Sequence, residues 1–556
     1  MKKVFFTLYI LCACVCSFAQ NRDFALGADI SWVTQFESNG RKFYNYKGEE
    51  RETTALMKEL GLNAIRLRVW VNPQGKGAWC NKEDVLVKAK RAHDLGMDIM
   101  IDFHYSDSWA DPGKQPIPAA WANHKYKQMQ KDVAAHTTEV LQLLKDNGVT
   151  PKWVQVGNET SNGFLWPMGN AKENPKQYAG LFAAGYDATK AVFPDAKVIV
   201  HLDNGFDDEL YRWNLDALRD NGAKWDIIGM SIYPYWAKDS GKEPSAARLF
   251  NDMRKNIKKV VDRYGTDVIV TETGFEVDEQ NPWKMQMGRE QLAQLINICR
   301  NETKGHCLGV FYWEPTADPT HYKLGAFTKD GHPTDIMRAF TTANVPDGLK
   351  DYDRPLLKLE TTDGDIIVEL YNETPLHRDN YLRLADTHAL DSTLFHRVIN
   401  NFMIQGGDPT SKEAERTTAE SPAPQLGNDD VPGPDGKQYD IPAEILPQFY
   451  HHRGALAAAR EGDDVNPERK SSGSQFYIVW GDWPVRKSKS NPDAPVLPYY
   501  KEDYCYGTPW LDGSYTVFGE VISGLNVVEK IQRRATDKYD RPLADVRVLK
   551  FKRLLK

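Results

Sequence analysis

The stretch KWVQVGNE, Lys152 to Glu159, shows an apolar face through Val154 and Val156 and then stops at a glycine, an asparagine and a carboxylate. It reads as a short β-strand that presents an acid at its C-terminal edge. A glutamate in such a place loses hydration unless something compensates it. A single strand-end glutamate is more often an N-cap or an ion-pair partner than a catalyst. The weight therefore falls on whether neighbouring strands end in the same way.

They do. Seven further runs read as strands: ALGADIS (25–31), NAIRLRVW (63–70), DIMIDFHY (98–105), KVIVHLD (197–203), DIIGMSIY (226–233), VIVTET (268–273) and LGVFYW (308–313). Helix-like segments such as RETTALMKEL (51–60) and KEDVLVKAKRAHDLG (82–96) lie between them. Eight strand–helix units between about residues 24 and 342 predict a (β/α)8 TIM barrel. A doubly wound sheet would need a glycine-rich phosphate turn after its first strand, and none follows here.

Side chains alternate along a strand, so each run divides into two faces. Arg66, Arg68 and Trp70 oppose Ile65, Leu67 and Val69; Asp102 and His104 oppose Ile99, Ile101 and Phe103. His201 and Asp203 oppose Val198, Val200 and Leu202, and Ser231 and Tyr233 oppose Met230 and Ile232. The polar set gathers toward the C-terminal strand ends, where barrels of this kind do chemistry. Glu159 ends the fourth strand and Glu272, in VTETG, the seventh. Two carboxylates facing one ligand are what glycoside hydrolysis requires, with the pair roughly 5–5.5 Å apart in a retaining enzyme.

The whole chain bounds the rest. At 556 residues, 41% hydrophobic and 26% charged, it is expected to fold as two or more globular domains. A net charge of −7 without a long basic run argues against nucleic acid as a partner. Lys2 and Lys3, the apolar run VFFTLYILCACVC and the small residues of SFAQ read as a secretory signal peptide, residues 1–19, cut after Ala19. Lipidation of Cys14 or Cys16 is the rival reading. The expected location is periplasmic, extracellular or cell-surface, and no later segment has the ~20 apolar residues of a transmembrane span. Cys299 and Cys307 are close in sequence; pairing and burial as free thiols both stay open. The polar stretch TTANVPDGLKDYDRP holds a linker, placed at 343–355, between a first domain at 20–342 and a second at 356–556. The second has paired short strands, many glycines and few helices, which predicts a closed antiparallel β-barrel.

The motifs GADISW, NAIRLRVWVNP, DFHYSDSWADPGKQ, VQVGNE, SIYPYW, TETGF and FYWEP resemble glycoside hydrolase family 53, the endo-β-1,4-galactanases. The resemblance covers the first domain. It implies Glu159 as acid/base, Glu272 as nucleophile, Asn158 as partner of the sugar 2-hydroxyl, and β-1,4-galactan, as in type I arabinogalactan, as substrate. Arg66, Arg68, His104, His201 and Tyr233 join the expected sugar-binding set, with Trp313 and either Trp109 or Trp236 stacking on sugar faces. Some members of the family hold calcium in a long loop after the eighth strand; here EPTADPTHYKLGAFTKDGHP is short, and no metal or cofactor is expected.

In the second domain FHRVINNFMIQGGD, SGSQFYIV and WLDGSYTVFGEV resemble the cyclophilin family of peptidyl-prolyl isomerases. The resemblance implies Arg397 as the catalytic group. Phe402, Met403, Tyr477 and Leu511 would hold a proline ring, and Gln405 and Gln475 would orient a proline-containing peptide or protein. Tyr477 stands where phenylalanine is usual, Arg460 where asparagine is usual and Tyr515 where histidine is usual, and the segment PVRKSKSNPDAPVLPYYKEDY is inserted nearby. Three rival readings remain: a peptide-binding module without turnover, a hydrolase of mannan or xylan, and an isomerase that assists folding of its own barrel.

Overall fold

The computed structural model describes residues 24–554, apart from 76–77, 240–245, 279–281, 344–353, 482, 485–499, 502–503 and 506. The signal-peptide reading, most of the linker and most of the inserted segment therefore lie outside the described residues.

Eight parallel strands close a barrel: β1 (Ala25–Asp29), β2 (Ala64–Val69), β3 (Asp98–Phe103), β4 (Trp153–Val156), β5 (Lys197–Leu202), β6 (Ile227–Ile232), β7 (Asp267–Thr273) and β8 (Cys307–Trp313). Each pairs with its sequence neighbours, and β1 pairs with β8 to complete the circle. The outward row Ile65, Leu67 and Val69 and its equivalents on the other strands form one apolar core with the surrounding helices. Those helices include α1 (Thr53–Glu59), α2 (Lys82–Asp94), α3 (Tyr126–Asp146), α4 (Pro175–Val192), α5 (Asp208–Asp220), α6 (Ala246–Tyr264), α7 (Pro282–Asn297) and α8 (Arg338–Ala343). Asn81 caps α2 by accepting from Asp84 N–H, and Asp207 caps α5 by accepting from Leu210 N–H, which satisfies orphan donors where strands hand over to helices.

The barrel interior is layered. Ala25, Ala64, Met100, Trp153, Ile199, Ile227, Ile269 and Phe311 plug the lower end. One or two steps up the same inward rows stand Asp29, Arg66, Asp102, Gln155, His201 and Ser231, all buried. An apolar floor under a polar mouth excludes water from below and leaves the charged groups to compensate one another.

The second domain is an eight-stranded antiparallel sheet built from β9 (Leu356–Thr361), β10 (Gly364–Leu370), β11 (Arg397–Ile399), β12 (Met403–Gly406), β13 (Ala455–Ala458), β14 (Phe476–Val479), β15 (Val517–Ser523) and β16 (Val548–Arg553). The spatial order is β11-β12-β14-β13-β15-β10-β9-β16. The expectation of full closure is corrected here: the sheet curls, but its edge strands β11 and β16 share no ladder. The segment before β11 meets β16 and the residues leading into it, through Ser392 N–H to Val548 O (2.7 Å), Phe395 N–H to Val546 O (2.9 Å) and Val548 N–H to Thr393 O (2.8 Å). Helices α9 (Pro375–Asp386) and α10 (Leu525–Gln532) contribute Tyr381, Leu384, Val528 and Ile531 to the core inside the curl. Between the domains, the buried Arg289 of α7 pairs with Asp335 (2.8 Å) and with Glu520 of β15 (2.5 Å). Cys80, Cys299 and Cys307 are free and buried.

Candidate active sites

After Val156 the chain leaves β4 through a tight turn. Gly157 has φ of +81°, and a Cβ there would lie 2.5 Å from Thr160 Cγ2, so this position needs glycine. Glu159 itself sits at φ +45°. This sparsely populated conformation is held by its own N–H, which points at His201 Nδ1 (3.3 Å). Nδ1 also lies 3.1 Å from Asn158 Oδ1; where it accepts the Glu159 N–H, the ring proton sits on Nε2. Nε2–H then donates to Ser231 Oγ (2.9 Å), and the Ser231 hydroxyl donates to Glu159 Oε1 (2.7 Å). Burial, and then the charge of Arg66, push His201 well down, so it is neutral.

Glu272 reaches the same mouth by a different device. In β7, Val268 and Val270 face the outer core, and strict alternation would send Glu272 after them. Both neighbouring ladders slip at this point: Met230 pairs with Val270 but Ser231 with Glu272, and Val310 pairs with Val270 but Tyr312 with Thr273. The extra residue in β7 is a β-bulge, which re-aims the glutamate inward.

Arg66 is the centre of charge. Its guanidinium reaches Asp29 (2.8 Å), Asp102 (2.9 Å) and Glu272 Oε1 (2.9 Å), and it donates to Asn158 Oδ1 (2.9 Å). Burial opposes its charge, but Asp102, Glu272 and Asp29 more than offset this and raise its pKa. The Tyr233 hydroxyl donates to Glu272 Oε2 (2.9 Å), while Oε1 faces Arg66 and accepts no aligned hydrogen bond among the described residues. Burial lifts Glu272 to about 7, with Arg66 and Tyr233 holding it down. Glu159 is pushed well up, first by burial and then by the charges of Glu272 and Asp203. Both carboxylates feel the charge of Arg66, but among the described residues only Glu272 pairs with it directly.

The other expected residues gather around this pair. His104 Nε2–H donates to Asp102 Oδ2 (3.0 Å), and its Nδ1 accepts the Ala110 N–H (3.2 Å). Asn158 Nδ2 donates to Ala110 O (2.9 Å), which leaves its second amide hydrogen for a ligand. Glu159, Tyr233 and Trp313 are partly open, and Trp236 is exposed. Arg66, Arg68 and His201 are fully enclosed, so the expectation of direct sugar contact is corrected for these three. Gln155 and Glu314 were missed by the reading of strand ends. Both are signalled by sequence position, Gln155 on the inward row of β4 and Glu314 directly after Trp313.

The short loop after β8 does not fit a calcium shell. Between 315 and 334 its carboxylates are Asp318 and Asp330. Asp318 is taken by Arg41 (2.7 Å) and by Thr320 N–H (2.9 Å).

In the second domain, sheet register brings Arg397 of β11, Gln405 of β12, Tyr477 of β14 and Ala457 of β13 into one transverse row. Arg397 is half-exposed; Nη1 is 3.4 Å from Gln405 Oε1 and Nε 3.5 Å from Asp540. Gln405 Nε2 donates to Gln475 Oε1 (3.2 Å), and Gln475 is anchored by Gly427 O (3.1 Å) and Asp429 O (3.0 Å). Met403 and Tyr477 share one apolar cluster with Phe402 and Leu511 beside them. The three unusual residues each have a partner. The Tyr477 hydroxyl bonds His451 Nε2 (2.9 Å), whose Nδ1–H is taken by Asp512 (2.9 Å). Arg460 donates to Ser514 O (2.9 Å) and lies 4.4 Å from the Tyr515 ring centroid. His451 and Asp512 carried no sequence signal of their own.

Two family models match the chain in separate stretches. The glycosyl hydrolase family 53 profile matches residues 25–346, and that of cyclophilin type peptidyl-prolyl cis-trans isomerase matches 356–553. A probable arabinogalactan endo-β-1,4-galactanase A of Neosartorya fischeri is 32% identical over 310 residues, covering 52% of this chain and 83% of that protein. The endo-β-1,4-galactanase of Bacillus subtilis is 30% identical over 322 residues, 54% of this chain and 71% of the relative. The family 53 catalytic domain of Ignisphaera aggregans superposes with a TM-score of 0.51 at 31% identity, covering 57% of this chain and 95% of that domain. The chain therefore belongs to glycosyl hydrolase family 53 and carries, behind its (β/α)8 hydrolase domain, a cyclophilin-type peptidyl-prolyl isomerase domain.

Proposed function

We propose that this is an exported, retaining endo-β-1,4-galactanase whose second domain turns X-Pro peptide bonds. The observation that carries the hydrolase reading is the unequal setting of two carboxylates in one mouth. Glu272 has Arg66 and Tyr233 and ionises first; Glu159 has only Ser231 and holds its proton to higher pH. Pairs pushed apart in this way divide into nucleophile and acid. Glu272 Oε1 attacks the anomeric carbon as Glu159 gives its proton to the leaving oxygen. The ionised Glu159 then takes a proton from water as that water displaces Glu272 from the sugar. Galactan as the polymer rests on the names of the relatives. Trp313 and Trp236 supply faces for sugar stacking, with Trp109 beside Trp313. The leader at 1–19, and division at the 343–355 linker, belong to the same proposal.

Reducing-end release from galactan, with mannan and xylan alongside, tests the substrate; release from xylan or mannan alone would reassign it. Proton NMR of the first product reads the stereochemistry, and an initial α-anomer would end the retaining reading. The pH sign follows from the two carboxyls. kcat/KM should rise with pH as Glu272 ionises and fall as Glu159 does. Ser231→Ala removes a donor that favours ionised Glu159. The falling limb should therefore move to higher pH while the rising limb stays, with kcat down roughly tenfold. An unmoved falling limb would separate Ser231 from the acid.

For the second domain, an X-Pro bond faces a barrier of about 18–20 kcal/mol because the nitrogen lone pair is delocalised. Arg397 would donate to the prolyl nitrogen as the bond twists, drawing that pair out of resonance, while Phe402, Met403, Tyr477 and Leu511 hold the ring. Contact must strengthen in the twisted state to accelerate rotation. A protease-coupled assay should show Arg397→Ala slower by roughly 100-fold in kcat/KM. Equal rates for wild type and variant would leave a peptide-binding module.

A further inference from the structure

Arg68 is a fully buried cation with few hydrogen bonds. Nη1 is 3.5 Å from Glu314 Oε1, Nη2 is 3.4 Å from the Cys80 sulfur, and Nε has no hydrogen-bond partner among the described residues. A buried guanidinium needs compensation from somewhere. Here the Glu314 carboxylate and three ring faces share it: Cζ lies 4.1 Å from the centroid of Trp109, 4.9 Å from Trp70 and 5.9 Å from Trp32.

These rings lock together edge to face. Centroids are 5.3 Å apart for Trp70–Trp109, 5.7 Å for Trp32–Trp109, 5.7 Å for Trp109–Trp313 and 5.2 Å for Trp32–Trp313. Glu314, buried at φ +48°, closes the assembly by accepting the Trp32 N–H (3.1 Å). The four tryptophans follow or end β8, β1, β2 and β3, contiguous staves on the side of the mouth that adjoins Glu272. All four are only half-buried.

We propose that Arg68 is a positioning residue: without touching sugar, it sets the angle of this aromatic wall and so the enzyme's hold on the galactan chain. The proposal rests on the galactanase reading. A β-galactosyl unit offers one apolar face of ring C–H groups, and stacking on it depends on the tilt of the indole beneath. The flat guanidinium serves Trp109 and Trp70 at once, which a lysine ammonium cannot do.

The test uses the full chain, with Arg68→Met and Arg68→Lys compared by kinetics on galactotetraose and by tryptophan fluorescence during its titration. Both variants should raise KM roughly tenfold with kcat within about threefold. The pH profile should stay put, and the fluorescence change should need correspondingly more sugar. Arg68→Lys keeps the charge and carries the test if Arg68→Met does not fold. Unchanged KM and titration in a folded variant would overturn the proposal, as would a fall in kcat alone, the mark of general damage. A wild type that leaves galactan and galactotetraose intact would instead sink the galactanase reading, so the two failures are distinct.

Discussion

Glu272→Gln should lower kcat on β-1,4-galactan by about 10⁴-fold or more, with KM little changed. The substitution keeps the shape of the side chain and its bond from Tyr233, but takes away the negative oxygen that Arg66 balances. Glu159→Gln should be as damaging on galactan and milder on an aryl galactoside whose leaving group needs no proton. Added azide should restore turnover in a Glu159→Ala variant that still forms the glycosyl-enzyme, and the azide product should be the β-anomer. An α-azide from that variant, or full activity of Glu272→Gln, would assign the nucleophile elsewhere.

Arg66→Met should be the most damaging change away from the reacting atoms. Three carboxylates, Asp29, Asp102 and Glu272, lean on this one guanidinium in a fully buried setting. Removing a partner from a buried charge cluster costs about 3–5 kcal/mol, so the melting temperature should drop by several degrees. In the fraction that folds, Glu272 loses the group that holds it down. Its pKa should rise, the rising limb of kcat/KM should move to higher pH, and activity at pH 7 should fall roughly 100-fold. A folded Arg66→Met variant with the wild-type acidic limb would show that Arg66 does not tune the nucleophile.

The barrel was legible because its signals are local. Strand runs of about six residues, each with an apolar outer row, recur between amphipathic helices, and all eight appear within three residues of where periodicity puts them. Arg397, Gln405 and Tyr477 were legible for another reason, as members of motifs; register then aligned them across β11, β12 and β14. Two things lay beyond local pattern. Alternation along β7 assigns Glu272 to the wrong face, and only the ladders to β6 and β8 expose the bulge that turns it. Likewise Arg66 and Arg68 look alike on one strand face, yet one meets three carboxylates and the other one carboxylate and three indoles. A linear pattern encodes which way a side chain leaves its own strand. What it meets there depends on residues brought from distant staves, and those partners set charge, proton affinity and role.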